Sequence, residues 1–93
     1  MKALLLLHER HVVAPDAFVE LQIWEVPRAV PASQHEFKYA LAYVIGGNCV
    51  LRYDNEAGKG DHRHVGRTEE PYCFVNAEQL LADFWKDVDR WNT

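Results

Sequence analysis

Two alternating stretches joined by a glycine pair constrain this chain more than any other feature. Phe37, Tyr39, Leu41 and Tyr43 alternate with Lys38, Ala40 and Ala42, the period of a β-strand with one buried face. Gly46-Gly47-Asn48 follows, and these residues tolerate the positive φ that a tight hairpin needs. The chain resumes as a strand from Cys49 to Asn55, with Cys49, Leu51 and Tyr53 on one face and Val50, Arg52 and Asp54 on the other. An antiparallel pair is therefore expected at the centre of the fold.

A second hairpin is expected upstream. Lys2 to Val13 is rich in Leu and Val and ends at the turn signal Ala14-Pro15-Asp16-Ala17. Phe18 to Val26 then alternates, with Val19, Leu21 and Ile23 opposed to Glu20 and Gln22. Pro27 to Glu36 contains two prolines and no periodicity, which predicts a loop free to serve as a contact surface. Tyr72 to Val75 reads as a short fifth strand. Asn76 fits a helix N-cap, with Glu78 in the first turn where the helix dipole favours a negative charge. Leu80, Leu81, Phe84, Trp85, Val88 and Trp91 recur at spacings of three and four, the stripe of an amphipathic helix. Its other face carries Asp83, Lys86, Asp87 and Arg90 and reads as solvated. Trp85 and Trp91 read as packing residues rather than a binding platform.

These elements predict an α+β fold: an antiparallel meander sheet of four to five strands packed against one C-terminal amphipathic helix. The 93 residues suit one domain spanning 1–93. A chain of this size buries roughly 60–65% of its unfolded surface, enough for a thin single core. Hydrophobic residues at 48% exclude a disordered chain. The net charge of −4 supplies no whole-molecule attraction for nucleic acid, so such a partner would need a local basic patch. Cys49 and Cys73 form no Cys-x-x-Cys motif, and one pair is no disulfide framework. The apolar run after Met1 is too short for a signal peptide or a membrane span. The expected compartment is a reducing cytoplasm with both thiols free.

The segment RYDNEAGKGDHRHVG, Arg52 to Gly66, is where chemistry could reside. Arg52 and Asp54 leave the same side of a strand, about 7 Å apart. If residues 61–64 are extended, His62 and His64 point one way and Arg63 the other. Between Gly58 and Arg67, Lys59, Arg63 and Arg67 stand against Asp61, a local balance of +2. Three readings follow from the residues. Histidines titrate near neutrality and serve as general acid and base, while Lys59, Arg63 and Arg52 would oppose charge on a pentavalent phosphorus. That is equipment for cleaving RNA without a metal ion. Alternatively, Asp54, Asp61, His62 and His64 hold a divalent transition metal, although Lys59 and Arg63 are poor neighbours for one. Or the segment is a solvated loop, with Asp54-Asn55 ending a strand through side-chain bonds to backbone. His8, His11 and His35 have nothing clustered around them in sequence and read as surface or packing histidines. Tyr72 either reaches the segment or leads into the last strand.

RYDNE, then GKGDHRH, then EEPY before a Leu-rich C-terminal helix, resembles the TumE family of small bacterial toxins. KALLLLHERHV and the WEVP and FKYALAYV segments extend the similarity over nearly the whole chain. The resemblance implies a growth-inhibiting toxin from a two-gene toxin–antitoxin module, whose partner is a DNA-binding antitoxin of helix-turn-helix type. It carries over Arg52, Asp54, Asn55, Lys59, Asp61, His62, Arg63 and His64 as the functional segment. On our reading His62 and His64 are the acid and base, Asp61 or Asp54 the orienting carboxylate, and Lys59, Arg63 and Arg52 the phosphate-facing charges. Asn55 and Tyr72 would position substrate. No cofactor and no metal are expected; RNA and a second copy of the chain are the other partners this reading admits, and no membrane. The competing class is a toxin that only binds, blocking a replication, division or translation protein. Under either reading, the acidic side of the helix (Asp83 and Asp87, with Glu78) and the Pro27–Glu36 loop are candidate antitoxin surfaces.

Overall fold

A computed structural model describes residues 3–92. Six strands form one antiparallel meander: β1 (Leu4–Ala14), β2 (Ala17–Glu25), β3 (Phe37–Ile45), β4 (Asn48–Asp54), β5 (His62–Val65) and β6 (Thr68–Pro71). One helix, α1 (Ala77–Trp91), follows. The α+β class and the sheet-plus-helix architecture are as the alternation predicted. Lys2, the expected start of the first strand, lies outside the described residues.

The central hairpin forms as its turn chemistry demands. Gly46 and Gly47 have φ of 56° and 81°, and Ile45 pairs with Asn48 directly across them. The apolar faces of three strands share one side of the sheet. Val19, Leu21 and Ile23 of β2, Tyr39, Leu41 and Tyr43 of β3, and Leu51 and Tyr53 of β4 are all buried there. Leu80, Phe84 and Val88 of α1 close over them and are equally buried. Each such side chain contributes about 1.5–3 kcal/mol on leaving water, so this three-strand patch under the helix is the main stabilising layer. Asn76 caps α1, its side chain accepting from the Gln79 N–H at 2.7 Å.

The strand count needs correcting at the C-terminal side. Residues 62–71 are a hairpin closed at Gly66, whose φ is 60°, so of the two conformations open to residues 61–64 the extended one is found. Its alternation is in charge rather than hydropathy, because neither face of β5 lies wholly in the apolar core. Residues 72–75 are not a strand. They cross from β6 to α1 as coil, tied by the Tyr72 N–H to the Asp61 carbonyl. Phe74 nevertheless packs inward, its ring stacked 3.8 Å from His35.

The acidic side of the helix is also not simply solvated. Asp83 accepts from the Tyr72 hydroxyl at 2.6 Å. Asp87 accepts from the Tyr53 hydroxyl and from Arg63, and its side chain is only 11% exposed. These carboxylates anchor the helix to the sheet, because their positions flank the buried stripe rather than oppose it. They are poorly placed to greet a partner. Of the two tryptophans, Trp85 is half-buried against the core, whereas Trp91 at the helix end is exposed.

Candidate functional site

The helix covers one face of the sheet, and the opposite face is open. Across the strands in register, that open face carries two rows of side chains. One runs His8, Gln22, Ala40, Asp54, His62; the other runs Arg10, Glu20, Ala42, Arg52, His64, Glu69. Cross-strand neighbours on one face sit about 4.5–5.5 Å apart, so each row is a line of contacts. The two alanines are the smallest members. They floor a groove of about 230 Å³ walled by Glu20, Gln22 and Arg52. A second hollow of about 330 Å³ lies beyond the histidines, lined by Lys59, His62, Glu69 and Pro71 among others.

Between these hollows the charged groups converge. His62 and Asp54 are both buried, with Nε2 and Oδ1 2.6 Å apart. Arg52 donates from Nε to the other Asp54 oxygen, Oδ2, at 2.5 Å. The Arg52 guanidinium is thereby held further into its charged range by the carboxylate beside it. His64 stands edge-to-face with His62, ring centroids 5.1 Å apart, and is about one-third exposed. Its Nδ1 lies 3.9 Å from Glu69 on the facing strand. Lys59 reaches over from the preceding loop to pair with Glu69 at 3.2 Å, and this contact holds the Glu69 carboxyl below the ordinary carboxylate range. Asp54, His62 and His64 each place a potential donor atom within 4.8 Å of the others.

Four of the residues expected in this group are placed elsewhere. Arg63 projects to the helix side, where it bonds Glu70, Asp87 and the Tyr53 hydroxyl. Asp61 turns toward the end of the core. There it accepts from Ser33 at 2.7 Å, His35 at 2.6 Å and Tyr39 at 2.6 Å. His35 is therefore far from isolated. Its Nδ1 accepts from the Phe37 N–H, so Nε2 carries the proton given to Asp61. Asn55 is a clamp, accepting from the Tyr39 N–H and donating to the Phe37 carbonyl and Ser33. Tyr72 holds the helix through Asp83.

The Asp61 cluster makes a prediction of its own. Burial alone would raise its carboxyl, but the hydrogen bonds from Tyr39, Ser33 and His35 outweigh that and hold it low. The fold thus prefers the ionised form. Its contribution is complete above the unfolded value, about 3.9, and disappears as the pH falls through the lower folded value. Asp61→Asn offers an amide donor to three donors and should cost about 1–3 kcal/mol at neutral pH. The gap between the variant and the native protein should close on acidification. Urea denaturation of both proteins from pH 7 to pH 3 measures this; a constant gap over that range would refute it.

Sequence reading overlooked Glu69 and His35. Glu69 could have been found from Gly66, because a two-residue turn there sets His64 directly opposite residue 69. His35 had no local signal, since its partner Asp61 is 26 positions away.

No helix among the described residues is long and apolar enough to cross a membrane. Comparison with curated proteins and with solved structures yields no match. Residues 2–92 match the family model described as Toxin TumE. With the match covering nearly its whole length, the chain belongs to the TumE family and is the toxin component of a toxin–antitoxin module, with a cognate antitoxin as partner.

Proposed function

We propose that this toxin is a small ribonuclease that works from the open face of its sheet without a metal ion. The observation that carries the reading is the opposition of His64 and Glu69 across β5 and β6, beside Arg52 and Lys59. His64 and Glu69 are both partly exposed, so their side chains can swing apart from 3.9 Å to admit a phosphodiester between a base and an acid. Glu69, kept ionised by Lys59, takes the proton of a ribose 2′-hydroxyl. The freed oxygen forms a bond to the adjacent phosphorus, the bond from phosphorus to the 5′-oxygen breaks, and His64 gives that oxygen its proton. The products are a 2′,3′-cyclic phosphate and a 5′-hydroxyl, so the substrate is RNA and not DNA. Arg52 and Lys59, both about half exposed, oppose the charge gathering on the non-bridging oxygens.

The buried Asp54–His62 pair does not reach the substrate in this scheme. It fixes β5 against β4 and thereby aims His64. Asn55, Asp61, Arg63 and Tyr72 act further back, holding the loops and the helix that support the open face. A DNA-binding antitoxin of helix-turn-helix type fits the family resemblance, and action on RNA fits a cytoplasmic protein.

Purified toxin incubated with total cellular RNA, with and without chelator, is the test. Cleavage in both tubes with cyclic-phosphate ends is expected. Growth arrest that leaves RNA intact, and that survives replacement of both His62 and His64 by alanine, would sink the nuclease and leave the toxin as an inhibitor that only binds.

A further inference from the structure

The buried pair has a feature that proton transfer at His64 does not use. His62 Nδ1 lies 2.9 Å from the Gly60 carbonyl oxygen, which can only accept, so Nδ1 carries a proton. In the neutral ring Nε2 is then a bare lone pair. It faces Asp54 Oδ1 at 2.6 Å, and two acceptors at that distance repel unless a proton or a metal ion joins them. Oδ1 is buried and receives no aligned hydrogen bond from any described residue. A buried carboxylate oxygen left without a donor costs about 1–3 kcal/mol or more, and such atoms are rare. Gly60 is itself held in place: its φ is 77°, and a Cβ there would meet the Ala32 carbonyl oxygen at 2.9 Å. The backbone acceptor that orients His62 is thus fixed by close contact with the 27–36 loop. A histidine whose far nitrogen is tied to a backbone carbonyl is the usual arrangement around a bound metal.

From this geometry we infer that Asp54, His62 and His64 form a site for one divalent transition-metal ion of the zinc and nickel class. Glu69 is near enough to supply a fourth donor: its oxygens lie 3.9 Å from both His62 Nε2 and His64 Nδ1. Two imidazoles with a carboxylate suit zinc, nickel or copper, and they exclude magnesium and calcium, which take oxygen donors. Donor atoms around zinc stand about 3.3 Å apart for bonds near 2.0–2.2 Å. Asp54 Oδ1 and His62 Nε2, 2.6 Å apart, therefore have to part by a few tenths of an ångström, and the partly exposed His64 has to turn inward. The cations that argued against a metal are accounted for by position. Arg63 is on the other face, Lys59 is held by Glu69, and Arg52 binds Oδ2 and leaves Oδ1 available. Asp61, counted as a ligand on sequence grounds, is not one of the donors here.

Because His64 cannot hold an ion and donate a proton at once, the bound ion also inhibits RNA cleavage. That second half rests on the ribonuclease reading; the binding does not. The experiment is calorimetric titration of metal-free, full-length toxin with zinc chloride, alongside melting curves. One equivalent should bind and raise Tm, magnesium chloride should do neither, and His64→Ala should weaken zinc by about tenfold or more. Asp54→Asn gives the same loss if it folds; His64→Ala, on the partly exposed position, keeps the test valid if it does not. His8→Ala/His11→Ala should bind as the native protein does. No binding at millimolar zinc, unchanged affinity in His64→Ala, or loss in the His8/His11 variant would each overturn the site. Zinc that binds without slowing cleavage overturns the inhibition alone; zinc that cleavage requires overturns the metal-free mechanism as well. Zinc binding by a protein that never cleaves RNA overturns the nuclease while the site stands.

Discussion

Replacing His64 with alanine should slow RNA cleavage by about 10²–10⁴-fold, the usual contribution of a positioned general acid or base. The side chain is about one-third exposed, and its nearest charged neighbour, Glu69, lies 3.9 Å away. Its loss therefore opens no core and strands no buried charge, and Tm should stay within a few degrees of native. Glu69→Gln should lower the rate comparably, since the amide cannot accept the hydroxyl proton. The double variant should be little slower than either single one, because acid and base act in one step and their losses do not add. His62→Ala differs in kind. It removes a buried ring lying 2.6 Å from Asp54 and leaves that carboxylate in the sheet without its neighbour, so stability and rate should fall together. Initial rates on a single-stranded RNA reporter, normalised to folded protein, separate these cases. Native rates in both His64→Ala and Glu69→Gln would remove the open face from the chemistry.

The contrast between what could and could not be foreseen follows from the range of the signals. The β3–β4 hairpin was legible because alternation and turn chemistry are local, and Gly46-Gly47 dictates the register by itself. The helix and its Asn76 cap were legible for the same reason. Strands β5 and β6 were hidden because hydropathy is the usual marker of a strand. Here His62 and His64 alternate with Arg63, which meets Glu70 and Asp87 instead of apolar side chains. The positive local charge misled in a related way. The window that gave +2 ended at Arg67, just short of Glu69 and Glu70, which pair with Lys59 and Arg63. Long-range partnerships such as His35 with Asp61 leave no trace in spacing at all. The opposed directions of His62/His64 and Arg63 were foreseeable once the segment was taken as extended, since period two permits nothing else.

That opposition leads to the second large effect, a loss of stability rather than of rate. Arg63→Ala should lower unfolding free energy by about 2–3 kcal/mol and Tm by about 10–20 °C for a domain this small. Arg63 donates to Asp87 at 2.8 Å, to Glu70, and to the Tyr53 hydroxyl at 3.3 Å. Removing one partner of a well-buried pair costs about 3–5 kcal/mol, because the other charge stays behind. Asp87 is 11% exposed but Arg63 is 30% exposed, so the lower figure applies. Changing Asp87 to Asn in the same protein should recover part of the loss, since the stranded charge disappears with it. Arg52→Ala provides the complementary case. Its side chain is 47% exposed and on the same face as His64, so cleavage should fall by about 10–100-fold, the range of a single charge opposed to the transition state. Its stability should fall as well, by about 1.5–3 kcal/mol, because the buried Asp54 carboxylate stays behind without the donor to its Oδ2. Urea midpoints and cleavage rates of both variants decide the matter. Should Arg63→Ala melt like the native protein while losing cleavage, the helix-side arginine would have to be returned to the reaction.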